Sequence, residues 1–148
     1  SEEINLIHNQ LRSAQDKYTY FLLAVAASAI GLSLQEVKSE VFSYSLIPLG
    51  LANIFWAVSF FLGCNVIQYV NSTLYSNSVY LQVRAGHHPD TGQHPQMIEA
   101  ASQGIQSAMK SNSEKTNSLA HWQFRLLILG AISYITWHLV EMWLRSCN

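Results

Sequence analysis

The sequence predicts an all-α membrane protein in which three transmembrane helices extend on the cytoplasmic side into a helical stalk, forming one long three-helix bundle. Residues 41–83 contain no Asp, Glu, Lys or Arg, although the chain carries 8 Lys+Arg and 9 Asp+Glu. Elsewhere apolar residues recur at alternating steps of three and four, which is the period of an α-helix. Strong turn-forming residues are concentrated in residues 84–95,. These patterns predict a few long helices.

The composition fits membrane spans joined to a substantial aqueous part. Of the 148 residues, 49% are hydrophobic and 11% are charged, and the mean hydropathy is +0.12. A chain of this length is expected to form one domain, residues 1–148. The formal net charge is −1, without a basic patch of the kind that phosphate backbones require, so nucleic acid is not expected as a partner. Cys64 and Cys147 are too far apart to suggest a disulfide scaffold.

The first helix is predicted over residues 2–34, as an amphipathic segment followed by a short span. The sequence is amphipathic up to Lys17 and then uncharged to Leu34. The helical stripe consists of Ile4, Ile7, Leu11, Ala14, Tyr18, Phe21 and Val25. Small residues at 24, 27, 28 and 31 would let another helix approach closely within a membrane, although they are equally compatible with plain filler.

The second helix is predicted as a span over residues 46–70 that extends to about residue 83. Residues 46–70 exceed the ~20 apolar residues that an α-helix needs to cross ~30 Å of hydrocarbon. Pro48 suits the first turn, where its missing N–H breaks no helical bond. The polar linker before this span is short, so the first two spans are expected to be antiparallel neighbours.

After a turn at residues 84–95, the third helix is predicted over residues 96–145, as a cytoplasmic helix followed by the third span. Asn112 and Lys115 interrupt its apolar stripe and leave open a break near residues 111–113. Trp122 and Trp143 are placed as interfacial aromatics at the two edges of the span. A continuous helix of this length would measure ~75 Å, more than twice the hydrocarbon thickness.

Basic residues predict the orientation of the chain in a cell inner membrane. Six of them flank the spans on the side shared by the amino terminus and the second loop, against two on the other side. The six are Arg12, Lys17, Arg84, Lys110, Lys115 and Arg125; the two are Lys38 and Arg145. This bias favours a cytoplasmic amino terminus and an external carboxyl terminus.

Candidate pore-lining residues lie in the second and third spans. Tyr134, His138 and Glu141 share one face of the third span, and polar groups at membrane depth normally point into a bundle or a watery cavity. Alternatively, Glu141 forms an i, i+4 pair with Arg145 at the interface and the stripe is structural. Asn53 and Asn65 would either wet a pore in an oligomer or join neighbouring helices.

A second candidate site is the histidine-rich turn. Imidazole and carboxylate groups within eight residues can bind a transition metal. They are His87, His88, Asp90 and His94. Their spacing matches no known metal signature, so an ordinary polar loop is favoured. No cofactor is expected, and the sequence contains no Gly-rich phosphate loop, G-x-S-x-G or H-E-x-x-H, so the protein is not expected to be an enzyme.

The layout of spans with a helical cytoplasmic extension resembles small membrane effectors of bacterial antiviral systems, which permeabilise the inner membrane. The resemblance covers the architecture alone and transfers no residue's role. It implies a homo-oligomeric channel or pore-forming effector in the lipid bilayer. The alternative is a non-conducting accessory or assembly subunit of a membrane complex that docks a soluble protein through its cytoplasmic helices.

Overall fold

The computed structural model describes residues 2–37 and 43–147, which form three long α-helices. Helix α1 spans Glu2–Val37, α2 spans Ile47–Arg84 and α3 spans Pro95–Ser146. A single turn of 3-10 helix, Tyr44–Leu46, precedes α2, and this part of the chain contains no strand. Each long helix contains a segment long and apolar enough to cross a membrane. The predicted helical architecture is confirmed at this level.

The helices begin and end close to the predicted residues. Pro48 lies in the first turn of α2, and Pro95 is the first residue of α3, both positions where a missing N–H removes no helical bond. Helix α3 is continuous through residues 111–113, so the break left open there does not occur. Its 52 residues correspond to about 78 Å.

The chain divides into two compact units. The three-helix unit comprises Ser1–Cys64 and Ala120–Asn148, and the hairpin unit comprises Asn65–Leu119. Each is described separately below.

In the three-helix unit, the buried residues of each helix follow the same alternating steps of three and four. The core cluster consists of Leu22, Ala26, Ala52, Trp56 and Leu127. Ser33 of α1 contacts Asn53 of α2, and Leu23 lies beside Gly63, so α1 and α2 run antiparallel as predicted. This spacing is typical of helices that pack at shallow, left-handed crossing angles.

The hairpin unit consists of the second half of α2, the turn, and the first half of α3. Three polar pairs cross between its helices: Ser72 with Asn112, Tyr80 with Gln106, and Arg84 with Glu99. Because all of these pairs involve exposed groups, this unit has the character of a hydrophilic antiparallel hairpin.

The turn of the hairpin unit begins with a glycine that ends α2. Gly86 has a φ of 72°, its N–H donates to the Val83 carbonyl, and the His87 N–H donates to the Gln82 carbonyl. This pair of bonds is the Schellman motif, which places a left-handed residue directly after the helix. Gly92 is the second residue with positive φ, at 49°. The Pro and Gly content predicts a turn here, and the structure adds that Gly86 caps α2.

Candidate functional site

Polar side chains within the three-helix unit form hydrogen bonds between the candidate membrane spans. The Ser33 hydroxyl donates to Oδ1 of Asn53, and Nδ2 of Asn53 donates to the Leu49 carbonyl at 3.0 Å. Ser33 is fully buried. The Asn53 amide, predicted to line a pore or to join helices, therefore joins α1 to α2 within one chain.

Two further hydrogen bonds join α2 to backbone carbonyls of α3. Trp56 Nε1 donates to the Leu127 carbonyl at 3.2 Å, and the Ser59 hydroxyl donates to the Gln123 carbonyl at 2.7 Å. Trp56 and Ser59 are both buried. In a hydrocarbon environment such bonds contribute about 0.6–2 kcal/mol each to helix association.

Two glycines accommodate large side chains from the facing helix. A Cβ built on Gly130 would meet the Trp56 ring, with Nε1 as its nearest atom and Cδ1 at 2.6 Å. A Cβ built on Gly63 would meet the Gln123 amide, and it would lie 2.6 Å from Cδ2 of Leu23. Helices α2 and α3 thus interlock twice, each time with a bulky side chain of one helix over a glycine of the other.

Two buried side chains of α3 have unsatisfied polar groups. Gln123 is 1% exposed and Trp137 is 4% exposed. Within the described residues, neither Nε2 of Gln123 nor Nε1 of Trp137 has a hydrogen-bond partner. Burying such groups without a partner is costly.

The structure divides the predicted stripe on the third span. Tyr134 packs inside the three-helix unit, with its ring centroid 5.8 Å from that of Trp56 and 5.7 Å from that of Trp137. Glu141 is half-buried and accepts a hydrogen bond from Nε of Arg145 at 3.3 Å. His138 is exposed. One end of the stripe therefore packs within the chain, and His138 faces outward.

Asn65 and the histidine-rich turn belong to the hairpin unit. Asn65, a pore-lining candidate, is half-buried. Of the metal-ligand candidates, His88 is half-buried, and His87, Asp90 and His94 are exposed. The Asp90 N–H donates to Nδ1 of His88 at 3.3 Å. Across residues 2–37 and 43–147, no group of three or more His, Cys, Asp or Glu side chains is placed to hold a metal ion.

The outer surface of the three-helix unit is apolar and is bordered by aromatic residues. Large exposed side chains include Ile54, Phe61, Ile128, Leu129, Ile132, Ile135 and Leu139. Trp122 and Trp143 are exposed at 52% and 67%, and their separation along α3 corresponds to about 32 Å. That length matches the ~30 Å hydrocarbon core, at whose edges Trp is enriched.

The sequence analysis missed the contacts of Trp56, Gly63, Gln123 and Gly130 as an interlocking set. The available signal was the spacing: Trp56 and Gly63 lie seven residues apart on α2, and Gln123 and Gly130 lie seven apart on α3. No protein-family model matches the chain, and no curated protein or solved structure matches it significantly.

Proposed function

We propose that the chain is an integral membrane protein with three spans, which serves as a non-conducting accessory subunit and docks a soluble protein through its hydrophilic helices. The observation that carries this proposal is where the polar side chains of the candidate spans find their hydrogen-bond partners. The side chains of Ser33, Asn53, Trp56 and Ser59 are hydrogen-bonded within one chain. A pore needs such groups on a face that surrounds water.

Membrane insertion is supported by the surface of the three-helix unit. Its exposed apolar side chains suit lipid, and Trp122 and Trp143 of α3 are separated by about the thickness of the hydrocarbon core,. The hairpin unit is largely polar, as expected for a part that lies in water and offers a surface to a soluble partner. The distribution of basic residues favours a cytoplasmic amino terminus; Lys38, one of the two opposing basic residues, lies outside the described residues.

A homo-oligomeric channel is the second candidate, and one observation favours it. His138 is exposed on α3 within the apolar segment, and an ionisable side chain facing lipid at such a depth is costly. Several copies arranged around a common axis would remove His138 from lipid and place imidazole groups along a shared path.

Reconstitution into liposomes distinguishes the two functions. The accessory-subunit proposal expects the chain to stay in the membrane pellet after alkaline carbonate extraction, and expects K⁺ efflux from the liposomes to equal that of protein-free vesicles. The matched variants are His138→Leu and Thr136→Val, which alter neighbouring exposed residues of α3. Efflux that is lost in His138→Leu but kept in Thr136→Val would overturn the non-conducting proposal in favour of the channel. Recovery of the chain in the carbonate supernatant would overturn the membrane insertion itself.

A further inference from the structure

Helix α1 carries a second stripe of apolar and small residues, which the packing of the three-helix unit leaves free. Its positions alternate by three and four from Ile4 to Leu32 without interruption. They are Ile4, Ile7, Leu11, Ala14, Tyr18, Phe21, Val25, Ser28 and Leu32. Val25 is half-buried against the core cluster, and the other eight are exposed. We name this set the α1 stripe.

The α1 stripe is distinct from the face that α1 uses within its own chain. The buried residues of α1 are Thr19, Leu22, Ala26 and Ser33. Each lies one residue beyond a stripe position, which turns the buried face by about 100° around the helix. Helix α1 therefore has one partnered face and one unpartnered face.

The amino-terminal part of the α1 stripe is the part that needs a partner. Ile4, Ile7 and Leu11 are exposed at 61%, 56% and 61%, in an amphipathic segment that carries charges on its other faces. Apolar side chains in such a segment gain free energy when they leave water. Since α1 is one continuous helix and its later half is the candidate span, this segment would project away from the bilayer rather than lie on it.

The spacing of the stripe identifies its partner as another α-helix. Residues 18–34 are uncharged throughout, but the amphipathic segment before them keeps the seven-residue repeat of a coiled coil, in which the two alternating positions pack against a supercoiled neighbour,. Lipid imposes no such periodicity. In the span half, Ala24, Ser28 and Gly31 are exposed, and a Cβ on Gly31 would meet nothing within 4 Å. These small residues would let the backbones of two helices approach closely.

We propose that the α1 stripe pairs in parallel with the α1 stripe of a second copy of this chain. The proposal rests on the proposed membrane insertion, because copies inserted in one orientation hold their α1 helices parallel and at the same depth. The amphipathic halves and the apolar halves then meet in register. Charge on the flanks fits this pairing: Glu3 faces His8 of the second copy, and Gln10 faces Gln15 of the second copy, so like charges do not meet there.

Two leucines on the same helix provide a matched test. Leu11 lies on the stripe and is 61% exposed, and Leu6 lies off the stripe and is 59% exposed. Either one replaced by Glu adds the same charge at equal exposure. The pairing expects the unaltered chain to be a dimer by light scattering in detergent, Leu11→Glu to be a monomer, and Leu6→Glu to remain a dimer. A monomeric unaltered chain, or equal effects of the two variants, would overturn the proposal.

Cysteine crosslinking in membranes tests the geometry and the identity of the partner. In a Cys64→Ala, Cys147→Ser background, Ile7→Cys and Leu11→Cys should each give a disulfide-linked dimer of the chain upon oxidation, because equivalent stripe positions meet in a parallel pair. Ser13→Cys, which lies off the stripe, should give none. Linkage to a different protein only, or no linkage at the stripe positions, would contradict self-pairing. Carbonate extraction of the same membranes reports insertion separately, so a failure of the proposed function is distinguished from a failure of the pairing.

Discussion

Substitution of Gly130 by Ala tests whether the contact between α2 and α3 is as close as the structure describes. The new methyl group would lie 2.6 Å from Cδ1 and 3.0 Å from Cε2 of Trp56. Carbon atoms in van der Waals contact are separated by about 3.5–4.0 Å. The Trp56 ring is 5% exposed and its Nε1 donates to the Leu127 carbonyl, so it cannot move aside without losing packing or a hydrogen bond.

The expected cost follows from two opposing effects. Overfilling a packed core costs about 1–3 kcal/mol, and displacing the Trp56 ring adds about 1 kcal/mol if its hydrogen bond is lost. Replacing Gly by Ala within a helix contributes up to about 1 kcal/mol in the other direction. Because the last two contributions roughly cancel, we expect Gly130→Ala to lower the free energy of unfolding by about 1–3 kcal/mol.

The assay is the temperature at which half of the protein is lost from the monodisperse gel-filtration peak after heating in detergent. For a chain of this size, Gly130→Ala should lower that temperature by about 3–10 °C. Gly104→Ala is the control on the same helix, because a Cβ at Gly104 would meet nothing within 4 Å, and this variant should be at least as stable as the unaltered chain. Gly63→Ala should fall between them, since its close neighbours are the ends of two flexible side chains.

A double variant separates the steric explanation from a general intolerance of substitution. If the new methyl group clashes with Trp56, the effects of Gly130→Ala and Trp56→Phe should be less than additive, because the smaller ring leaves room for the methyl group. Strict additivity would refute the reasoning. So would equal stability of Gly130→Ala and Gly104→Ala.

Three other predictions concern the contact between α2 and α3, the turn and the membrane topology. Ser59→Ala should lower the free energy of unfolding by about 0.6–2 kcal/mol because it removes a buried hydrogen bond between α2 and α3,. Ser107→Ala, on an exposed face of α3, should leave the heating profile unchanged. Equal shifts in the two variants would contradict the described contact between α2 and α3. Gly86→Ala should destabilise the chain by about 1–2 kcal/mol because the φ of Gly86 is positive,. By contrast, conversion of all three turn histidines to Asn should leave stability and oligomeric state unchanged. A loss of stability in that variant, matched by loss of a stoichiometric metal, would instead support the metal site. The three are His87, His88 and His94. Cys147 is exposed, and a membrane-impermeant thiol label should reach it from outside intact cells; labelling only after lysis would reverse the orientation.

The helices were predictable because their signals are local. The apolar stripes, an uncharged stretch, Pro48 at a helix start and one concentrated turn were enough to place all three helices to within three residues of their observed ends. Each of these signals depends on the backbone conformation of a few consecutive residues. The channel function, its role in antiviral defence, the homo-oligomer and the single domain stay predictions.

The candidate site was less predictable because it depends on which faces meet. Tyr134 and His138 are four residues apart and were assigned to one face, yet Tyr134 packs against Trp56 and His138 is exposed. The buried residues of α3 include Leu127, Gly130 and Trp137, which follow alternating steps of three and four residues. Sequence spacing shows that a stripe exists, but the partner helix determines which of two neighbouring stripes is buried.

Helix α1 shows the physical basis of that choice. Of its two stripes, the one that contains Phe21 and Leu32 is exposed, and the one that contains Leu22 together with the smaller Thr19, Ala26 and Ser33 is buried. In water the bulky stripe would be expected to face the core. Lipid removes that preference because it is as apolar as Leu, and close approach of backbones then favours small residues and hydroxyl groups at the contact. The inversion on α1 is thus what membrane insertion would produce.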